Sequence, residues 1–115
     1  MRILIADDQK SVGTTLAALV SHCQHEVVDV VGSGLEAIQA YNRHHPDVVL
    51  MDYYMSKLNG ATACRNILAK DPGARIILVS GLSPDAEPSD SGAIAVLAKP
   101  VGLARLEEAL NAASR

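Results

Sequence analysis

The segment DVVLM (47–51), running straight into Asp52, decides the architecture. Val48, Val49, Leu50 and Met51 leave neither face of a strand polar. Such a run fits the centre of a sheet that is covered on both sides. ARIILVS (74–80) repeats the pattern, and RILIA (2–6) and AIAVLA (93–98) read as two further strands. EVVDVV (26–31) is a fifth, but Asp29 interrupts it and points to a sheet edge. Helix-period segments alternate with these strands. Ser11 to Val20 places Val12, Leu16, Leu19 and Val20 on one face. A second helix runs through Leu35, Ile38 and Tyr41 and stops before Pro46, because the residue preceding a proline disfavours helical geometry. Ala61 to Lys70 aligns Ala61, Cys64, Ile67 and Leu68 and ends at DPG (71–73), while Leu103, Leu106 and Leu110 mark a closing helix. Doubly apolar strands separated by amphipathic helices predict an α/β fold, a doubly wound parallel sheet forming a single domain over residues 1–115.

One segment breaks the alternation. Between the strands ending at Ser80 and beginning at Ala93 lies GLSPDAEPSDSG (81–92), where a crossover helix belongs. Ser83 and Pro84 suit a helix start, but Pro88 would fall inside the helix and remove a backbone donor. Apart from Leu82 the segment has no large apolar residue to dock on a sheet. The expectation is at most one helical turn, the rest an irregular loop.

At 115 residues the chain has the length of one domain and can bury a core without a staple. Ten Lys and Arg against thirteen Asp and Glu give a formal charge of −3, which speaks against a nucleic-acid or polybasic membrane surface. The apolar runs are far shorter than the ~20 residues of a membrane span, and only four apolar residues separate Arg2 from Asp7 and Asp8, too few for a secretory signal. Two cysteines, Cys23 and Cys64, make neither a disulfide framework nor a metal cluster, so a reduced, cytoplasmic setting with both thiols as core filler is expected. His22, His25, His44 and His45 lack metal-ligand spacing and read as surface residues at helix ends or turns. VGSG (31–34) lacks the full glycine-rich phosphate motif and reads as a turn.

In open α/β sheets ligands bind at the carboxyl ends of the strands. Those ends carry Asp7-Asp8, Asp52, Ser80 and Lys99-Pro100, so carboxylates, a hydroxyl and an ammonium converge from four strands. Two carboxylates ~5 Å apart at an effective dielectric of ~20 repel by roughly 3 kcal/mol. Such a cluster either shifts its pKa values upward or takes a cation. An oxygen-only site open to water suits Mg²⁺, and a carboxylate can act as a nucleophile toward phosphorus while an ammonium neutralises the charge gained. The inventory fits phosphoryl transfer onto Asp52.

These residues, in this order, resemble the receiver domain of bacterial two-component response regulators, the CheY-like superfamily, from Arg2 to about Ala113. The matching elements are Asp7-Asp8, the Asp52-Tyr53-Tyr54-Met55 run with Gly60 eight positions after the acid, Ser80, and Lys99-Pro100. The resemblance implies a five-stranded sheet of order 2-1-3-4-5, a cis Lys99–Pro100 bond, and Asp52 as acceptor of a phosphoryl group from a sensor histidine kinase or phosphotransfer protein. It implies Mg²⁺, with Mn²⁺ as a substitute, on Asp8, Asp52 and the main-chain carbonyl of Tyr54, with Asp7 acting through water. Ser80 and Lys99 would each bond a phosphoryl oxygen. The domain would not be an enzyme acting on other molecules, since its chemistry is confined to phosphorylating and dephosphorylating itself. It would be a stand-alone module, monomeric or weakly homodimeric, contacting neither nucleic acid nor membrane.

Several positions depart from the family pattern. Val96 replaces an aromatic switch residue, Ser56 a proline, and Gly81 the usual alanine after the fourth-strand hydroxyl, and the helix between the fourth and fifth strands is short or replaced by a loop. Output is therefore expected through ordering of residues 81–92, or through the first and closing helices. Tyr54 is expected to project over the pocket, where it could slow attack by water. The alternatives are a pseudo-receiver that binds partners without phosphorylation, or the receiver part of a DNA-binding response regulator. A phosphatase built on an Asp nucleophile fits less well, because Asp7 and Asp8 are adjacent rather than spaced by one residue.

Overall fold

The computed structural model describes residues 1–55, 58–81 and 92–114. In chain order it contains β1 (Arg2–Ala6), α1 (Lys10–His22), β2 (Glu26–Val31), α2 (Gly34–His44), β3 (Val48–Asp52), α3 (Gly60–Lys70), β4 (Ile76–Ser80), β5 (Ala95–Ala98) and α4 (Leu103–Ala113). The strands form one parallel sheet of order β2-β1-β3-β4-β5. β3 and β4 are buried at every position, as their unbroken apolar runs require.

Side chains alternate between the two faces with period two. Leu4, Ala6, Val49, Met51, Ile76 and Leu78 pack on the side of α2 and α3, together with Ala37, Tyr41, Cys64 and Ile67. Ile3, Ile5, Val48, Leu50 and Ile77 pack on the other side, against Leu16 and Val20 of α1 and Leu106 and Leu110 of α4.

The edges show where apolar composition misleads. β4 starts at Ile76, because Ala74 is held in a turn by a hydrogen bond to the Asp71 carbonyl and Arg75 is exposed. β5 starts at Ala95, with Ile94 left 48% exposed, and only Leu97 of the strand is fully buried. Leu35 does not join the buried face of α2; it sits in the first turn and is exposed. Cys64 is core filler, but Cys23 is only half-buried at the end of α1, facing Glu107.

β2 lies at the edge, as Asp29 suggested. A bulge shifts its register on β1, so that Ile3 pairs with Val27 and Leu4 with Asp29. This turns Asp29 toward the end of α2, where its carboxylate meets His44 (3.3 Å) and Arg43 (3.6 Å). His44 is thus half-buried rather than free on the surface, and His25 faces the amino terminus of Met1 through Nδ1 at 2.8 Å. α2 begins where the Ser33 hydroxyl accepts from the Glu36 N–H and ends at His45 in the left-handed region, immediately before Pro46. The short crossover expected within 81–92 falls on residues 82–91, outside the described residues. No helix among the described residues is long and apolar enough to cross a membrane.

Candidate functional site

Each strand end delivers one part of a cleft. The chain leaving β1 is fixed by a hydrogen bond from the Asp7 N–H to the Val31 carbonyl, which turns Asp7 inward (3% exposed) and leaves Asp8 outside. Asp7 Oδ1 accepts from the Gln9 N–H at 2.9 Å. Asp52, the last residue of β3, is 5% exposed, and the Tyr54 N–H lies 3.4 Å from its Oδ1. After β5 the Lys99 N–H donates to the Ser80 carbonyl, and its ammonium reaches Asp7 Oδ2 at 3.1 Å and Asp52 Oδ1 at 3.3 Å. One carboxylate oxygen from each of Asp7, Asp8 and Asp52 lies within 4.8 Å of the others. The open cleft above them is about 440 Å³ and is lined by Asp8, Gln9, Asp52, Tyr54, Gly81 and Lys99.

The expected residues are therefore brought together, with two refinements. Ser80 is buried at the end of β4, and Gly81 rather than Ser80 lines the cleft. Val96 is half-buried against the α2–α3 cluster. The Lys99–Pro100 peptide is cis. Tyr54 is exposed at the rim of the cleft, its ring beside that of Tyr53 with centroids 4.8 Å apart. Two contributors were not singled out from sequence: Gln9, which lines the cleft, and Gly34, which packs on the loop following Asp52.

Charge is unbalanced here. Burial raises the Asp52 carboxyl above its ordinary value and Asp7 adds to the rise; Lys99 and the Tyr54 N–H pull it partly back. Burial alone would lower the Lys99 ammonium, but Asp7 and Asp52 outweigh it and raise it above the ordinary lysine value. Lys99 thus stays charged, one cation against three carboxylates. Asp7 Oδ2 is buried and, its ion pair with Lys99 aside, has no hydrogen bond of good geometry among the described residues. A hard dication that takes carboxylate oxygens and keeps several waters fits this donor set.

A raised carboxyl value means that the folded state holds the proton more tightly than the unfolded chain. Stability is then lost as pH rises from the unfolded carboxylate value through the folded one. Asp52→Asn removes that cost while keeping the shape of the side chain. It is expected to stabilise the metal-free protein by about 1 kcal/mol at neutral pH, read as a higher thermal midpoint. An unchanged or lower midpoint would contradict the electrostatic reading.

Comparison with known proteins agrees with this geometry. The family model for the response regulator receiver domain matches residues 3–111. The chain is 34% identical over 117 residues to the chemotaxis protein CheY of Thermotoga maritima, covering 99% of this chain and 98% of that protein. It is 36% identical over 110 residues to a protein-glutamate methylesterase/protein-glutamine glutaminase of Nitrosospira multiformis, covering 90% of this chain and 31% of that larger protein. Among solved structures, the CheX–CheY–BeF₃–Mg²⁺ complex of Borrelia burgdorferi aligns with a TM-score of 0.94 at 27% identity, covering all of this chain and 90% of that one.

Proposed function

The chain belongs to the response regulator receiver domain family, and from that premise we propose that it accepts a phosphoryl group on Asp52 from a phosphohistidine of a sensor kinase or phosphotransfer protein. The observation that carries the reading is the Lys99 ammonium resting on both buried carboxylates beside an exposed third one. That arrangement leaves one carboxylate free to become an acyl phosphate without losing its counter-charge.

In the transfer, an oxygen of Asp52 forms the new P–O bond as the P–N bond of the donor imidazole breaks, and the imidazole leaves with the bonding electron pair. Lys99, 3.3 Å from Asp52 Oδ1, lowers the cost of the ionised, nucleophilic carboxylate and faces the charge gained on phosphorylation. Asp8, Asp52 and the Tyr54 carbonyl would hold the Mg²⁺, with Asp7 acting through water. Bound there, Mg²⁺ would supply positive charge to neutralise the transferring group, and Mn²⁺ would suit the same oxygen donors. Gly81, which lines the cleft, bounds the far side of the phosphoryl group, with Ser80 directly behind it at the end of β4. Tyr54, standing at the rim, retards water and so lengthens the life of the acyl phosphate.

The domain acts on itself rather than on a separate substrate. The same reading puts it in the cytoplasm, with both thiols reduced and its phosphorylated face turned to a downstream protein rather than to nucleic acid or membrane. With Val96 at the switch position, output passes through the loop after β4 or through α1 and α4. The pseudo-receiver alternative draws on that valine and on the short or missing crossover helix that the sequence predicts after β4.

Incubation with Mg²⁺ and acetyl phosphate decides between the two. A single adduct of ~80 Da is expected, one phosphoryl group, present in the wild type and absent in Asp52→Asn. An adduct that persists in Asp52→Asn would move the acceptor elsewhere. No adduct, with a partner kinase as donor as well, would favour the pseudo-receiver.

A further inference from the structure

Gly34 opens α2 directly after the Ser33 cap, and its backbone does not demand a glycine, since the only glycine with positive φ among the described residues is Gly92. What it does is allow a close approach. A Cβ at position 34 would lie 2.4 Å from the Leu58 carbonyl oxygen, 3.0 Å from Leu58 Cβ and 3.1 Å from the Leu58 carbonyl carbon. None of these is the end of a flexible side chain, so a methyl group there must push the Leu58 backbone or α2 itself.

Leu58 belongs to the loop that leaves Asp52. That loop is pinned at its start, where the Tyr53 N–H donates to the Val79 carbonyl at 2.8 Å, and closed where the Gly60 N–H donates to the Tyr53 carbonyl at 2.7 Å. Its far end is the cap of α3, where Asn59 Oδ1 accepts from the Thr62 N–H at 2.8 Å. Tyr54, whose N–H faces Asp52 Oδ1, sits between these fastenings. The first turn of α2 is thus a fourth fastening, made by backbone contact from outside the loop.

We propose that Gly34 is a positioning residue for the acid cleft: by letting α2 close on the Leu58 carbonyl, it sets where the loop carrying Tyr54 stands relative to Asp52. This rests on the phosphoacceptor reading above and adds to it an element, α2, that contributes no side chain to the cleft. Gly34→Ala displaces the loop and weakens cation binding, whatever it does to stability.

Titration of the purified chain with MgCl₂, read by the fluorescence of its tyrosines (Tyr41, Tyr53 and Tyr54, with no tryptophan present), tests this. The midpoint in Gly34→Ala is expected to rise on the order of tenfold, the usual scale for losing a residue that orients a metal ligand. Ala40→Gly, a buried site further along the same helix, serves as the control; it lowers the thermal midpoint and leaves the Mg²⁺ midpoint in place. If Gly34→Ala does not fold, Ser33→Ala loosens the same turn by removing the cap, and a weaker Mg²⁺ midpoint is again expected. A wild-type midpoint in the folded Gly34→Ala, or in Ser33→Ala when that variant stands in, overturns the proposal. A wild-type protein that gives no Mg²⁺ response overturns the phosphoacceptor reading itself, so the two failures are distinguishable.

Discussion

Replacing Lys99 by methionine is expected to cost the metal-free protein about 3 kcal/mol near neutral pH, the scale for removing one partner of a buried ion pair. Methionine keeps most of the length and volume of the side chain and removes the charge. The side chain of Asp7 is then 0% exposed and that of Asp52 6% exposed with no ammonium between them. Without the ammonium that pulls it back, the Asp52 carboxyl is pushed further up, so the folded state gains protons as pH falls and the deficit shrinks toward acid. In the wild type the Lys99 contribution has the opposite sign. Its raised value adds stability that is fully present below the ordinary lysine value and is lost only as pH climbs through the folded one. Urea unfolding of both proteins at pH 5 and pH 8 measures the difference. Saturating Mg²⁺ is expected to restore more stability to the variant than it adds to the wild type, because no ammonium competes for the same oxygens. A small, pH-independent loss that Mg²⁺ does not repair would mean the three charges do not form one unit.

Gly60→Ala is expected to be comparably severe, for a steric reason. A Cβ at Gly60 would fall 2.1 Å from the Asp52 carbonyl oxygen and 3.0 Å from both the Asp52 carbonyl carbon and Tyr53 Cα. No rotamer relieves a clash with backbone, and Gly60 is also tied to Tyr53 by its N–H. Either α3 retreats or the end of β3 moves. Overpacking of this kind costs about 3 kcal/mol, more than the ~1 kcal/mol that alanine returns through helix propensity. Because the atom that must yield belongs to the phosphoacceptor, the rate of labelling by acetyl phosphate is expected to fall on the order of a hundredfold, as for a reacting group misplaced by about an ångström. Denaturant unfolding and the labelling rate check the two halves separately. Wild-type values in both would show that the strand end and α3 are not in register as described.

What could be read before folding follows from which physics is local. The centre of the sheet was legible because a strand covered on both faces must be apolar throughout, and β3 and β4 are buried along their whole length. The sheet edges were not. AIAVLA carries the same composition as a central strand, yet Ile94 is exposed and only Leu97 of β5 is fully buried, since coverage depends on neighbours that composition does not specify. The bulge in β2 was equally hidden, because register is a property of two strands.

At the site, strand ends named every charged group, but only the family resemblance separated Asp7 from Asp8; the physical difference, a hydrogen bond to Val31 that turns Asp7 inward, exists only in the fold. Gly60 was noticed through its spacing from Asp52, whereas the reason for it, contact with the Asp52 carbonyl, exists only in three dimensions. Gly34 read as part of a turn, and its contact with Leu58 links segments 24 positions apart.

The most direct test of Asp52 as the phosphoacceptor is a crystal structure determined in MgCl₂ and beryllofluoride, a stable mimic of the phosphoryl group. The expected result is beryllofluoride on a carboxylate oxygen of Asp52 with the Lys99 ammonium against a fluorine, and Mg²⁺ among Asp8, Asp52 and the Tyr54 carbonyl. A cleft that holds neither group, with Lys99 still clamped on Asp7 and Asp52, would contradict it.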